Sequence, residues 1–272
     1  MDAMKSSLLK TFGACVIVAS IAVSMLPATT AHMQGQSPLP TPPPPQPTVA
    51  PKPPTAPRVP RTSAPRLVTK TITETDATVP FEINVRYPAI DSANAPWATF
   101  NADVLKQVQD TISAFKTDLQ AATPITGMDS MTSTLYGAFQ TFRVTRDFVS
   151  VRMGYSLYIA GAAHPASFSR VLNFDANAGK LIELNELFKS VNTDYLGTLS
   201  SLCKRQLARR DVLAFPEGLD PKPANFATWN MGRFNLVITF DPYQVAPYAV
   251  GPQECEIPLR TLRRILAEPR RW

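Results

Sequence analysis

An α+β fold is predicted for the chain beyond residue 66, with an antiparallel or mixed β-sheet packed with two main helices and a short C-terminal helix. Three observations carry that expectation. Several short segments alternate apolar and polar residues with period two, as half-buried strands do. One long segment repeats apolar residues at spacings of three and four, as an amphipathic helix does. Glycine and polar turn signals separate the strands closely enough for hairpins.

In chain order, residues 67–74 are the first expected strand, and Phe81, Ile83, Val85 and Tyr87 alternate with polar neighbours in the second. After Pro96 the period changes, because Phe100, Val104, Val108, Ile112, Phe115 and Leu119 lay one apolar stripe along a helix. Residues 132–144 and 148–159 flank Thr145-Arg146-Asp147 as hairpin strands would, and 168–174 continues the block. Asn177-Ala178-Gly179-Lys180 is a glycine turn into 181–184. A second helix is expected over 193–209, capped by Asn192 or Thr193, with Tyr195, Leu196, Leu199, Leu202, Cys203 and Leu207 facing inward. Residues 226–230 and 234–241 form a further hairpin around Met231-Gly232-Arg233. A loop, a strand ending at Ile257 and a last helix with Pro258 at its first position complete the order. About 206 residues suit one domain, 67–272, or two closely joined subdomains, 67–125 and 126–272.

The N-terminal part differs in kind. Lys5 and Lys10 precede an apolar run over 11–26 that Pro27 ends, so 1–31 reads as an export signal or signal anchor, with Thr29-Thr30-Ala31 as small residues at a cleavage point. The run exceeds the ~7–15 residues of a cleavable signal core and falls short of the ~20 of a spanning helix. Removal and membrane retention therefore both stay open. Cys15 lies within this run and is read as an ordinary buried cysteine rather than a lipid attachment point. Residues 32–66 form a basic linker: 13 of the 27 prolines fall in 38–66, with Lys52, Arg58, Arg61 and Arg66 and no acidic residue. Such a stretch buries no core and runs as polyproline II, spanning on the order of 90 Å at ~3.1 Å per residue. It is a stiff spacer, with a ligand for an SH3-like partner as the alternative.

The formal charge of +6 belongs mostly to that spacer, since 67–272 carries 21 basic and 20 acidic residues. No nucleic-acid partner is expected of so nearly neutral a domain. The cationic linker would be drawn to anionic headgroups or acidic wall polymers, an attraction that salt screens. A periplasmic or extracellular location follows, with anchoring at the inner membrane if the signal is retained. In an oxidising compartment the domain's two cysteines, Cys203 and Cys255, most simply pair, closing a loop of about 50 residues and adding about 4 kcal/mol of stability. A two-cysteine metal site is the rival, yet the domain has only His164 to add to it, so no metal and no cofactor are expected.

Three segments in fixed order carry a family resemblance. They are Gly161-Ala162-Ala163-His164-Pro165; Phe174-Asp175 with Gly179-Lys180, Leu184 and Leu187-Phe188; and Phe240-Asp241-Pro242-Tyr243-Gln244-Val245-Ala246-Pro247-Tyr248-Ala249-Val250-Gly251 with Ile257-Pro258 and Leu262. Together, over about residues 155–266, they resemble the extracytoplasmic C-terminal domain of the RsiV family of lysozyme-binding anti-sigma factors, a module also found beside polysaccharide deacetylase domains. The resemblance implies an α+β fold and a binding or sensing role at the cell envelope. Only about ten residues precede the apolar run, too few for a cytoplasmic sigma-holding domain, so no sigma factor is expected as partner.

The candidate chemistry is one of binding. His164 is the domain's single histidine, and a Ser-His-Asp or Cys-His mechanism would need it; no Gly-x-Ser-x-Gly turn accompanies it, and Pro165 restricts its backbone. It is read as a turn residue or a ligand contact. The loop from Asp241 to Gly251 sets Tyr243 and Tyr248 among Pro242, Pro247 and Pro252, which lower the entropy a loop loses on binding. Those rings either plug the core beneath the loop or offer stacking surface to a sugar or a protein. His164, Asp241, Tyr243 and Tyr248 are thus the candidate ligand contacts. Asp175, Glu183 and Glu186 are scattered around turns and define no glycosidase pair. Arg260, Arg263, Arg264, Arg270 and Arg271 form a solvated C-terminal face or an acidic-partner site. The expectation is a non-enzymatic module that binds an extracytoplasmic, lysozyme-like protein or a wall-derived glycan; the alternatives are a hydrolase of envelope polymers and a structural spacer.

Overall fold

The computed structural model describes residues 64–122, 131–190 and 193–267, within a compact unit that spans Val59–Trp272. The expected export segment 1–31, the expected linker up to residue 63, and Arg270 and Arg271 lie outside the described residues. Among those described, no helix is long and apolar enough to cross a membrane.

Strand β1 (Leu67–Asp76) pairs antiparallel with β2 (Phe81–Ile90) from Leu67 opposite Ile90 to Asp76 opposite Phe81. Helix α1 (Trp97–Ala121) then returns the chain so that β3 (Ser133–Val144) joins β2 in parallel, the geometry a helical crossover permits. The antiparallel strands β4 (Phe148–Tyr158), β5 (Ala166–Asp175) and β6 (Lys180–Leu181) complete a six-stranded sheet in sequence order. The expected stripe on α1 is buried: Phe100, Val104, Val108, Ile112 and Phe115 pack with Ile83, Val85, Leu135 and Val151 on one sheet face. Burying each such side chain stabilises by about 1.5–3 kcal/mol.

A second sheet follows, β7 (Trp229–Met231), β8 (Asn235–Phe240) and β9 (Gln253–Pro258), all antiparallel. Helix α2 (Tyr195–Arg209) turns Leu199, Cys203 and Leu207 into a second apolar cluster shared with Leu236, Ile238 and Ile257. Cys203 and Cys255 are bonded, with Cα atoms 5.4 Å apart, which ties α2 to the middle of β9. The edge of β9 is closed by side chains. Glu256 N–H donates to Gln206 Oε1 at 2.8 Å, Gln206 Nε2 donates to the Glu256 carbonyl at 3.2 Å, and Arg210 donates to the Glu254 carbonyl at 2.6 Å. An edge occupied this way does not offer its backbone to another chain.

The α+β class stands, and several local expectations are corrected. The cap of α2 is Asp194, neither Asn192 nor Thr193, because its carboxylate accepts from Gly197 N–H at 2.8 Å. A Cβ on Gly197 would sit 2.0 Å from that carboxylate, so the cap and the glycine form one fitted unit. Asp194→Ala is expected to cost about 1 kcal/mol, read as a lowered urea midpoint with an unchanged m-value. The strand expected over 181–184 ends at Leu181, and a 3₁₀ turn over Leu184–Leu187 takes its place. Glu183 and Glu186 form a reciprocal capping box on that turn, which sends Leu184 and Leu187 into the second cluster. Residues 223–226 form a 3₁₀ turn, so the late hairpin begins only at Trp229 and turns at Gly232–Phe234. The last helix, α3 (Leu259–Leu262), is a single turn with Pro258 at its cap rather than inside it. The six-stranded sheet has strands on both sides of residue 125; one apolar cluster draws on residues up to Phe174, the other on Phe148 and on residues from Ile182 onward.

Candidate functional site

The loop after β8 is fixed from below and free above. Val245 and Ala246 are buried, the Val245 carbonyl accepts from Ala214 and Phe215 N–H at 2.9 and 3.0 Å, and Gln244 Nε2 donates to the Asn225 carbonyl at 2.9 Å. Gly218 passes so close that an added Cβ would lie 1.8 Å from the Gln244 carbonyl oxygen. With 244–246 held, Tyr243 turns outward at φ 70°, a left-handed conformation that disfavours any residue with a Cβ, and the residue is 58% exposed. Holding it costs on the order of 1 kcal/mol, drawn from the packing beneath.

Three of the four residues expected to contact ligand come together here. The His164 and Tyr248 rings stack with centroids 4.2 Å apart, and the Tyr243 ring lies 5.7 Å from Tyr248 and 6.3 Å from His164. Tyr248 donates its hydroxyl proton to the Pro165 carbonyl at 2.7 Å. His164 Nδ1 is 2.9 Å from that same oxygen, and Tyr243 Oη is 3.4 Å from Nε2. A neutral imidazole protonated at Nδ1 satisfies both contacts, donating to Pro165 and accepting from Tyr243. The core under the loop is filled by Val245 and Ala246, while Tyr243 and His164 stand in solvent.

Asp241, the fourth, sits apart from the rings. Its Oδ2 accepts from Ser169 N–H at 3.0 Å, and its buried Oδ1 has no partner among the described residues. It forms the wall of a cleft of about 650 Å³ whose floor is the second face of the six-stranded sheet. Along β4 the outward residues are Ser150, Arg152, Gly154 and Ser156. The second sheet covers the first two: Ser150 is fully buried beneath β7, and Arg152 is paired with Glu254 at 2.6 Å and also donates to Thr239. Beyond Arg152 the cover stops, and Gly154 and Ser156, with Ser167, Asn84, Arg86 and Tyr136, line the open cleft. Tyr136 donates to Glu82 at 3.1 Å, and its phenol is raised above the ordinary value by desolvation and then by that carboxylate. On the opposite face Tyr155 is raised by burial.

Asp241, Pro242 and Pro252 of the cleft wall were legible in the sequence as loop residues, but none of the strand residues of its floor was. Alternating small and polar residues on β4 and β5 read as a solvated strand face, and only the partial cover by the second sheet makes that face a cleft. Asp175, Glu183 and Glu186 serve local structure: Asp175 accepts from Asn177 and Ala178 N–H in the turn, and the two glutamates cap the 3₁₀ turn.

An α+β domain with an exposed aromatic cluster beside a polar cleft is the class of protein that these features define. Residues 185–260 match the family model described as "Protein of unknown function (DUF3298)", a span that includes Asp241, Tyr243 and Tyr248. Two solved structures share the fold. A member of the DUF3298 family from Bacteroides fragilis superposes with a TM-score of 0.55 at 19% identity, covering 76% of this chain and 96% of that one. A DUF3298 family protein from Pseudomonas aeruginosa gives a TM-score of 0.52 at 16% identity, covering 75% and 96%. Among characterised proteins, the peptidoglycan-N-acetylmuramic acid deacetylase PdaC of Bacillus subtilis is 30% identical over 113 residues, or 40% of this chain. The chain spans about a quarter of that enzyme's length.

Proposed function

We propose that this protein is a non-enzymatic binding module of the cell envelope whose ligand is a wall-derived glycan, held at the His164, Tyr243 and Tyr248 cluster. The observation that supports the reading is the ring set at an anchored loop, with Tyr248 stacked between His164 and Tyr243 and the last two exposed. Aromatic faces stack on the apolar faces of sugar rings, and the fixed loop lowers the ordering cost of binding. Tyr243 is kept outward by backbone that is disfavoured unless the loop beneath enforces it, which is where functional side chains are often found. Three further points support the reading. The export-like segment and basic spacer suit an envelope location, the carboxylates nearest to an acid/base pair are engaged in turns and caps, and the relative PdaC is named for work on peptidoglycan.

Retention of the full chain on insoluble peptidoglycan is the test. Tyr243→Ala combined with Tyr248→Ala is expected to lower the bound fraction about tenfold while leaving the thermal midpoint within a few degrees. Undiminished retention would remove the cluster from the site. Capture of lysozyme in place of the polymer would favour a protein ligand, and release of soluble sugar products or acetate would show an enzyme.

A further inference from the structure

We infer that the cleft beside the aromatic cluster is a subsite for a carboxylate-bearing sugar unit, in which Arg86 pairs with the carboxylate and the hydroxyls of Ser156 and Ser167 meet the sugar's hydroxyl and amide groups. This rests on the glycan reading above and adds to it which sugar chemistry is selected.

Cleft and cluster are continuous along the chain. Asp241 and Pro242 line the cleft while the next residue, Tyr243, exposes its ring; likewise His164 stacks in the cluster while Ser167 lines the floor. Cluster and cleft thus share the loop at 241–243 and the entry to β5, and one glycan chain is proposed to occupy both. A volume of about 650 Å³ suits one or two sugar rings, within the ordinary range for small-ligand sites.

Polarity decides the ligand class. Arg86 projects from β2 into the cleft, is exposed, and has no ion-pair or hydrogen-bond partner among the described residues. A guanidinium matches a carboxylate with two parallel donors. At the other wall Asp241 is held in place, its Oδ2 accepting from Ser169 N–H at 3.0 Å. Between the walls the floor is low. A Cβ built on Gly154 meets nothing within 4 Å, and the Ser156 and Ser167 hydroxyls have no partner among the described residues. A ligand with one carboxylate and several hydroxyl or amide donors matches this arrangement; a purely neutral sugar leaves Arg86 unused.

Calorimetric titration of the full chain with the disaccharide of N-acetylglucosamine and N-acetylmuramic acid, against chitobiose as its carboxylate-free counterpart, tests the inference. The acidic disaccharide is expected to bind roughly tenfold more tightly, and Arg86→Gln to abolish that preference while chitobiose affinity stays the same. Gly154→Leu, which projects into open space, is expected to weaken both sugars while leaving the thermal midpoint in place. Equal binding of the two sugars would overturn the carboxylate subsite and leave the glycan module standing. A wall polymer retained by the chain while neither disaccharide binds would overturn the subsite alone, and loss of both polymer and disaccharide binding would overturn the glycan reading with it. Preference for an acidic peptide over the acidic sugar also overturns the inference.

Discussion

Replacing Cys203 and Cys255 together by alanine is expected to lower the stability of the domain by about 4 kcal/mol, which for a domain of this size displaces the melting midpoint by roughly 10 °C. The bond spans 52 residues, and its removal frees the unfolded chain to explore conformations that the closed loop forbids. Both sulfurs are buried in the second apolar cluster, so the substitution also removes packing between α2 and β9. Differential scanning calorimetry of the oxidised protein and the double variant measures the effect. A midpoint unchanged within two degrees would show that Gln206 and Arg210, which grip the same strand edge, suffice without the bond.

The second large effect is expected where the two sheets meet. Ser150 Oγ donates to Asn173 Oδ1 at 2.6 Å and accepts from Asn230 Nδ2 and Met231 N–H, both at 3.0 Å, and all of these groups are buried. Asn173 in turn donates to the Trp229 carbonyl at 2.7 Å. Ser150→Ala deletes the shared hydroxyl and takes that partner from two buried N–H groups, of Asn230 and Met231, and from the buried Asn173 amide oxygen, each such loss costing about 1–3 kcal/mol where nothing replaces it. A total loss of about 3 kcal/mol is expected from denaturant unfolding. Ser156→Ala, on the same strand and the same face but in the open cleft, is the control and is expected to stay within about 0.5 kcal/mol. Equal effects at the two serines would mean that the sheets do not meet at Ser150 as described.

The contrast between those serines shows how far the sequence could be read. The stripe on α1, the hairpin around Thr145-Arg146-Asp147 and the inward face of α2 follow from periodicity, because burial of one helix or strand face is encoded in residues three, four or two apart. Caps and ends were less legible. Thr193 and Asp194 are both plausible acceptors for a helix start, and the choice fell to Asp194 because its carboxylate reaches Gly197 N–H. The strand expected over 181–184 was replaced by a turn because Leu184 and Leu187 fill a cluster built mainly from residues beyond 195. For the site, the loop composition pointed to His164, Tyr243 and Tyr248, whereas Arg86, Gly154 and Ser156 carried no local sign of a cleft.

By itself, then, the sequence determined the class of fold, the identity of the buried faces, the pairing of two cysteines in an oxidising compartment as the simplest expectation, and which loop would carry aromatic side chains. Only the tertiary structure decided that Tyr243 stands outward, that His164 stacks on Tyr248, and that the second sheet covers β4 as far as Arg152 and no further. The physical reason is range. Periodicity reports contacts within one element, while the cover over Ser150 comes from residues 80 or 81 positions away, whose arrival no local pattern records.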